Sequence, residues 1–117
     1  MEYHFENDRL DVQRSPEEKR PLLQRLMRVE GQVRGLRQMV EKDRYVGEKI
    51  QQAGAITAAV REVVLMMISQ HLEAALQYAS ENDHDHHAAV EEMVGLLRTA
   101  MRQRPSSTVG TDSAQSD

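Results

Sequence analysis

The chain has 117 residues and a net charge of −4; 39% of its residues are hydrophobic, 3% are aromatic and none is cysteine. The lack of cysteine excludes disulfides, iron–sulfur clusters, thiolate metal ligands and thiol nucleophiles. The length suits one domain with an aliphatic core, and self-association is expected because a lone chain of this size buries only about two thirds of its unfolded surface.

The first helix is predicted to begin at residue 16. Residues 1–14 are polar and unpatterned, and we expect them to form a flexible N-terminal arm. Ser15 then supplies an N-cap, Pro16 a first helical position and Glu18 the acid of a capping box. A heptad-like apolar seam follows, which indicates lengthwise packing against another helix. The seam consists of Leu22, Leu26, Val29, Val33, Leu36 and Val40.

A second helix is predicted from Glu48 to Ala79, after a break at residues 42–47. Twelve of the sixteen residues 53–68 are apolar, so this helix must be covered on more than one side, and partner subunits are expected to provide that cover. A shorter third helix is predicted to end near Gln103. Residues 15–103 would therefore be a three-helix domain for oligomerisation and binding, followed by a disordered tail at 104–117.

No targeting segment is predicted. The N-terminus has no basic start followed by an apolar run, and no uninterrupted apolar stretch reaches 18 residues. A cytoplasmic protein without a membrane partner is expected.

The positive charge is concentrated in the first two helices. Residues 16–62 carry a local charge of +3, whereas residues 63–117 carry −5. This division favours one positive surface that meets a polyanion, although solvated arginines paired with neighbouring acids are the simpler alternative. Gly31 and Gly35 are predicted to lie roughly opposite the seam, where each costs about 1 kcal/mol relative to alanine. They suggest close approach by either a phosphate backbone or a neighbouring helix.

The sequence resembles a known family at RLMRVEGQVRGL (25–36), MVEKDRY (39–45), Ile50, 53–61 and His71-Leu72. These segments are similar to the CsoR/RcnR/FrmR family of small bacterial repressors, which respond to copper(I), nickel or cobalt, formaldehyde or sulfur species. The resemblance implies an all-α subunit of three helices, an antiparallel dimer and a flat tetramer built from two dimers. It covers roughly residues 16–103.

The resemblance also implies that basic residues of the first two helices contact operator DNA. Arg25, Arg28, Arg34 and Arg61 match positions that are basic in many members. Lys19 and Arg37 border the same seam, and we include them as candidate DNA contacts.

The sensor positions differ from those of copper-responsive members, in which a cysteine follows the tyrosine and a second cysteine lies four residues after a histidine. Here these positions are Val46 and Ala75, and only His71 is retained. Copper(I) prefers soft sulfur ligands, so it is not expected to bind, and the family's formaldehyde and persulfide chemistry also lacks its thiol. Tyr45 and Glu92 match positions that link the ligand histidine to the DNA face.

Four alternatives for the effector stay open; one of them is ligation by the thioethers of Met66 and Met67, although methionines in the middle of a helix are far more often core residues. A nickel or cobalt site could combine His4 or the N-terminal amine with His71. The cluster at 83–87, with His84, His86 and His87, could bind zinc or nickel, although a solvated polar turn is the simpler interpretation. The effector could also be a non-metal.

The sequence therefore predicts a DNA-binding transcriptional regulator, a repressor that has lost its copper(I) ligands. The alternative is an effector-blind oligomerisation or scaffold protein, or a partner of a complete paralogue in a mixed tetramer. No phosphate loop, nucleophile elbow or cysteine–histidine pair is present, so an enzyme is not expected.

Overall fold

Three helices and an N-terminal hairpin make up the computed structural model, which describes residues 1–82 and 86–102. The elements are β1 (Glu2–Glu6), β2 (Arg9–Gln13), α1 (Pro16–Glu41), α2 (Val46–Glu81) and α3 (His86–Arg102). The predicted three-helix subunit is confirmed, and α2 begins two residues earlier than expected. His84, Gln103 and the predicted tail at 104–117 lie outside the described residues.

The predicted arm is wrong in its local structure, because residues 2–13 form an antiparallel hairpin. Phe5 pairs with Leu10 in its register, and the turn residues Asn7 and Asp8 both have positive φ angles. Two such residues in a two-residue connection match the twist of the strands, and Asn and Asp tolerate this conformation. Alternate side chains then face inward, so the all-α prediction holds for the rest of the described chain and not for this segment.

The start of α1 has the predicted capping box. The Ser15 hydroxyl accepts a hydrogen bond from the Glu18 backbone N–H at 3.2 Å, and the Glu18 carboxylate accepts one from the Ser15 N–H at 2.8 Å. The bond from the Ser15 backbone lowers the pKa of Glu18 below its ordinary value. Pro21 lies inside the helix without ending it.

Helices α1 and α2 run antiparallel, since Arg25 contacts Glu62 while Gly35 lies near Gln52. A Cβ at Gly35 would come within 3.3 Å of the Gln52 side-chain nitrogen, which itself donates to the Gln32 carbonyl at 2.9 Å. Of the two alternatives for the glycines, a neighbouring helix therefore accounts for Gly35. A Cβ at Gly31 would meet no atom within 4 Å, so no neighbouring helix accounts for this glycine within the described residues.

One flank of α1 is left open. No residue of α1 is buried, and Val33 of the predicted seam is 48% exposed. An apolar groove of about 670 Å³ runs along this flank. We call it the α1 groove; its lining residues are Leu23, Leu26, Met27, Val29, Glu30, Val33, Arg34 and Arg37.

The buried core lies at the other end of the molecule, where α3 and the hairpin pack on the last turns of α2. Its α2 residues are mainly alanines, which allow the elements to approach closely. The cluster contains Leu10, Ala74, Ala75, Tyr78, Ala79 and Ala89, with Tyr3, Phe5 and Val12 packed against it.

Helix α2 is long and apolar enough, by length and composition alone, to cross a membrane. It nevertheless carries Arg61 and Glu62 near its middle, and it packs against α1, α3 and the hairpin. An exposed apolar surface on such a helix is equally typical of a subunit interface.

Candidate effector pocket and basic surface

His71 lines a cavity of about 290 Å³ between α2 and α3, and Glu92 contacts the His71 ring. The His71 Nε2 atom lies 2.8 Å from Glu92 Oε1, and the two side chains are only 21% and 10% exposed. The expected link between the retained histidine and Glu92 is thus present as a contact between α2 and α3. Histidines that bind a metal through one ring nitrogen commonly contact a carboxylate through the other, so Nδ1 of His71 is the nitrogen left for a ligand.

The second oxygen of Glu92 is also engaged. The Leu10 backbone N–H donates to Glu92 Oε2 at 2.6 Å. Sequence reasoning missed this contact, because it depends on a backbone group 82 residues away in the chain. The alternation of Tyr3, Phe5, Leu10 and Val12 around an Asn-Asp turn was the signal that could have revealed the strand.

The two lost ligand positions lie in different surroundings. Ala75 is buried one turn after His71, whereas Val46 begins α2 and is 56% exposed. Val46 and His71 are 25 residues apart in one helix, so about 38 Å separates them. Tyr45, the N-cap residue, is 72% exposed and equally distant. The predicted role of Tyr45 beside His71 is therefore not met within one chain and would require a second copy.

His4 does not approach His71 in this structure. It lies on the outer face of the hairpin, where its Nε2 atom is 3.1 Å from Glu6 and 4.0 Å from Asp11. Strand alternation turns His4 away from the core that receives Phe5. The N-terminal amine instead contacts Glu18 at 3.4 Å. The expected combination of His4 or the amine with His71 is thus not assembled within the chain.

The histidines at the start of α3 are exposed. His87 contacts Glu91 at 2.9 Å, and His86 lies in the adjoining position, while His84 is outside the described residues. Within residues 1–82 and 86–102, no group of three or more His, Asp or Glu side chains is arranged to hold a metal ion. The described part of the 83–87 cluster therefore does not form a ligand set by itself.

The candidate DNA-contacting residues are exposed but do not share one face of α1. Arg34 and Arg37 border the α1 groove, whereas Arg25 lies beside α2 and contacts Glu62 at 3.3 Å. Arg37 also pairs with Glu41 at 3.4 Å. The remaining candidates, Lys19, Arg28, Arg34 and Arg61, are exposed and form no ion pair within the described residues.

These ion pairs do not bind the arginines firmly. Both partners of the Arg25–Glu62 pair are about half exposed, and exposed pairs of this kind contribute about 0.2–1 kcal/mol. A phosphate group could replace Glu62 at little cost.

Comparison with known proteins identifies the family. The model of a family described as metal-sensitive transcriptional repressor matches residues 18–99. The chain belongs to this repressor family. The resemblance to the CsoR/RcnR/FrmR repressors is thereby confirmed, and because family and relatives are transcriptional repressors, the chain is assigned to a class of regulators and not of enzymes.

Relatives of this repressor include copper sensors. It is 35% identical over 98 residues to the copper-sensing transcriptional repressor CsoR of Bacillus subtilis (strain 168), covering 84% of this chain and 95% of the relative. It is 48% identical over 48 residues to the copper-sensing transcriptional repressor RicR of Mycobacterium tuberculosis (strain ATCC 25618 / H37Rv), covering 41% of this chain and 50% of that protein.

Two solved structures have the fold of this repressor. The copper-sensing repressor CsoR with Cu(I) from Geobacillus thermodenitrificans NG80-2 aligns with a TM-score of 0.67 and 30% identity, covering 76% of this chain and 92% of that one. The nickel-responsive transcriptional regulator InrS aligns with a TM-score of 0.64 and 24% identity, covering 77% and 97%. The three-helix architecture is therefore that of the family.

Proposed function

We propose that this repressor binds double-stranded operator DNA as a dimer of dimers and that its effector is not copper(I). The observation that carries the proposal is the family match over residues 18–99, because the exposed basic side chains of α1 and α2 lie inside that range. The cytoplasm is the proposed location, since that is where a bacterial repressor meets its DNA.

The proposed DNA contacts are electrostatic. Arg25, Arg28, Arg34, Arg37, Arg61 and Lys19 are all exposed. Contacts between such side chains and phosphates release counterions, so affinity should fall steeply with salt concentration. Base recognition is not assigned to any of these residues.

The assembly proposal rests on the open apolar surface. The α1 groove is uncovered in a single chain, and Val33 and Leu26 within it are exposed. An antiparallel partner would also bring the first turn of its own α2 close to the last turns of this one, which is how positions 46 and 71 could meet despite the distance of about 38 Å in one chain. The pocket would then belong to two subunits.

The proposed effector follows from the side chains that remain. Cu(I) requires soft ligands, and positions 46 and 75 offer only the hydrocarbon side chains of Val46 and Ala75 beside the imidazole of His71. A divalent ion such as nickel, cobalt or zinc would have to recruit further ligands from a partner chain or from the 84–87 region. A non-metal effector requires no such set.

The family match favours the repressor over the effector-blind scaffold or mixed-tetramer partner. The repressor, the scaffold and the mixed-tetramer partner would all associate through the same apolar surfaces, so a measurement of assembly does not distinguish them. DNA binding by the purified homo-oligomer would distinguish the repressor from the other two.

The decisive measurement is fluorescence anisotropy of the purified protein with its own upstream DNA and with a scrambled duplex, over a series of salt concentrations. We expect sequence-dependent binding with a steep salt dependence. Arg25→Ala should weaken binding and reduce the salt slope by about one for each phosphate that is no longer neutralised. Arg98→Ala, an exposed arginine of α3, is the matched control. Equal binding to both duplexes would refute the repressor proposal.

A further inference from the structure

A cavity lies between α2 and α3 beside the retained histidine. Its volume is about 290 Å³, and an apolar cavity of about half that size is sufficient to bind benzene. Along α2 the lining extends from Val64 to His71, which corresponds to about 10 Å. A molecule of two fused rings therefore fits its dimensions. The residues that line the cavity are Val64, Met67, Ile68, His71, Leu96, Thr99 and Ala100.

One nitrogen atom in the side chains of this lining has no hydrogen-bond partner among the described residues. The Thr99 hydroxyl already donates to the Gly95 carbonyl at 3.1 Å and accepts from Arg102 at 3.2 Å. The His71 Nε2 atom contacts the Glu92 carboxylate, which only accepts hydrogen bonds, so Nε2 carries the proton of the neutral imidazole. The other ring nitrogen, Nδ1, is then an acceptor that a ligand in the cavity can use.

The size and chemistry of the cavity argue against other occupants. One turn of helix, about 10 Å across and about 5.4 Å long, takes up about 420 Å³, so no turn of a partner's helix fits into a cavity of about 290 Å³. A metal ion needs several donor atoms, and no group of three or more His, Asp or Glu side chains within the described residues is arranged to hold one. The described lining carries no permanent charge, so a charged ligand would lose its hydration without compensation. A small, neutral, mainly apolar molecule fits best.

We propose that this cavity binds a neutral, mainly apolar molecule of about ten non-hydrogen atoms that carries one hydroxyl group. The hydroxyl donates to Nδ1 of His71, and the apolar body packs against the aliphatic side chains of both helices. Glu92 holds the imidazole in the required tautomer, and the Leu10 N–H holds the second oxygen of Glu92. The inference adds a ligand site to the repressor and does not depend on DNA binding.

Apolar burial supplies the affinity of this site, and the hydrogen bond supplies its selectivity. Transfer of an apolar ligand from water into the cavity is favourable in proportion to the apolar area that is buried. An acceptor that is covered without receiving a donor is costly. A ligand that covers Nδ1 of His71 but lacks a hydroxyl should therefore lose part of the affinity that its apolar body provides.

The test uses the full-length, assembled protein and two probes of nearly equal shape. 2-Naphthol has two fused rings and one hydroxyl, and 2-methylnaphthalene has a methyl group in place of the hydroxyl. Probe fluorescence follows the binding of each, because the chain contains no tryptophan that would obscure it. Dissociation constants are measured for the wild type and for three variants, each shown by circular dichroism and sedimentation to be helical and assembled.

The variants are His71→Phe, Ala100→Leu and Arg98→Leu. His71→Phe removes the acceptor, so the preference for 2-naphthol over 2-methylnaphthalene should fall by at least about fivefold, the coupling expected of one hydrogen bond. Ala100→Leu fills part of the cavity and should weaken the binding of both probes by at least about tenfold. Arg98→Leu places the same new side chain on α3 outside the cavity; it is the matched control and should leave both dissociation constants unchanged.

Each outcome decides the inference. If the assembled wild type does not bind 2-naphthol, or if Ala100→Leu binds it as tightly as the wild type does, the cavity is not a ligand site. If His71→Phe keeps the preference between the probes, the hydroxyl does not contact Nδ1 and the proposal is overturned. Should His71→Phe fail to assemble, the nitrogen chemical shift of Nδ1 in the wild type decides, since only 2-naphthol should move it. A lack of sequence-dependent DNA binding would refute the repressor proposal and leave this one standing.

Discussion

Gly31 and Gly35 lie one turn apart on α1 but have different neighbours. A Cβ at Gly31 would meet nothing within 4 Å, whereas one at Gly35 would come within 3.3 Å of the Gln52 side chain. Spacing alone could not separate them, because the position of α2 depends on residues far along the chain. The two glycines therefore have different structural surroundings, and substitution by alanine should change the stability of the protein differently at each position.

We expect Gly31→Ala to stabilise the protein by up to about 1 kcal/mol, the usual difference in helix propensity. Gly35→Ala should gain less or lose stability, because Gln52 must move and its bond to the Gln32 carbonyl would be strained. Chemical denaturation of both variants at one protein concentration checks this. A larger gain at Gly35 than at Gly31 would contradict the assigned helix contact.

The histidines show which contacts of single residues could be predicted from the sequence and which could not. His71 and Glu92 were matched through the family resemblance, and they are in contact. His4 was paired with His71 through the same resemblance, and no pattern in residues 2–13 supported the pairing. Strand alternation places His4 on the outer face, and that alternation could be recognised only once residues 2–13 were known to form strands.

The elements differ in how clearly the sequence encodes them. The seam of α1 repeats over several turns, and the Ser15–Glu18 box marks its start, so its boundaries follow from local chemistry. The strands have five residues each and offer only two inward apolar side chains apiece. So short an alternation is a weak signal unless the surface that the strands cover is known, and that surface is formed by Ala74, Ala75, Tyr78, Ala79 and Ala89.

The capping box at the start of α1 should make stability depend on acid. The pKa of Glu18 is lowered in the folded state, so its stabilisation is present above the ordinary pKa of glutamate and is lost as the pH falls through the lowered value. Glu18→Gln should therefore reduce the melting temperature at pH 7, and the deficit should disappear at strongly acidic pH.

Melting curves for Glu18→Gln and Glu17→Gln, recorded at equal protein concentration, test this. Glu17 shares the first turn but does not complete the box, so its variant should show the smaller deficit at pH 7. A Glu18→Gln deficit that persists unchanged in acid would contradict the assignment.

The whole molecule leaves apolar surface open along α1 while it buries its core at the opposite end. Its extents are 57 × 40 × 18 Å, and α2 alone is about 54 Å long. A chain this thin cannot cover its long helices by itself. Excess apolar surface was apparent from the composition of residues 53–68, but its location was not.

We expect Val33→Asp to reduce the molecular mass of the assembly in solution. The side chain lines the α1 groove, and burying an unpaired carboxylate in an interface is costly. Gln24→Asp introduces the same acid on α1 outside the groove and should leave the mass unchanged. Sedimentation velocity at several concentrations measures both. An unaltered mass for Val33→Asp would place the interface elsewhere.

The anchoring of the hairpin has a consequence for synthesis. Residues 2–13 leave the ribosome before their partners Tyr78, Glu81 and Glu92 have been made. Because closing so long a loop costs entropy that only the finished contacts offset, the hairpin should settle after the helices it packs against. During that interval Glu92 lacks the Leu10 N–H donor, and the alanines of α2 that Leu10 covers in the finished fold are open to solvent.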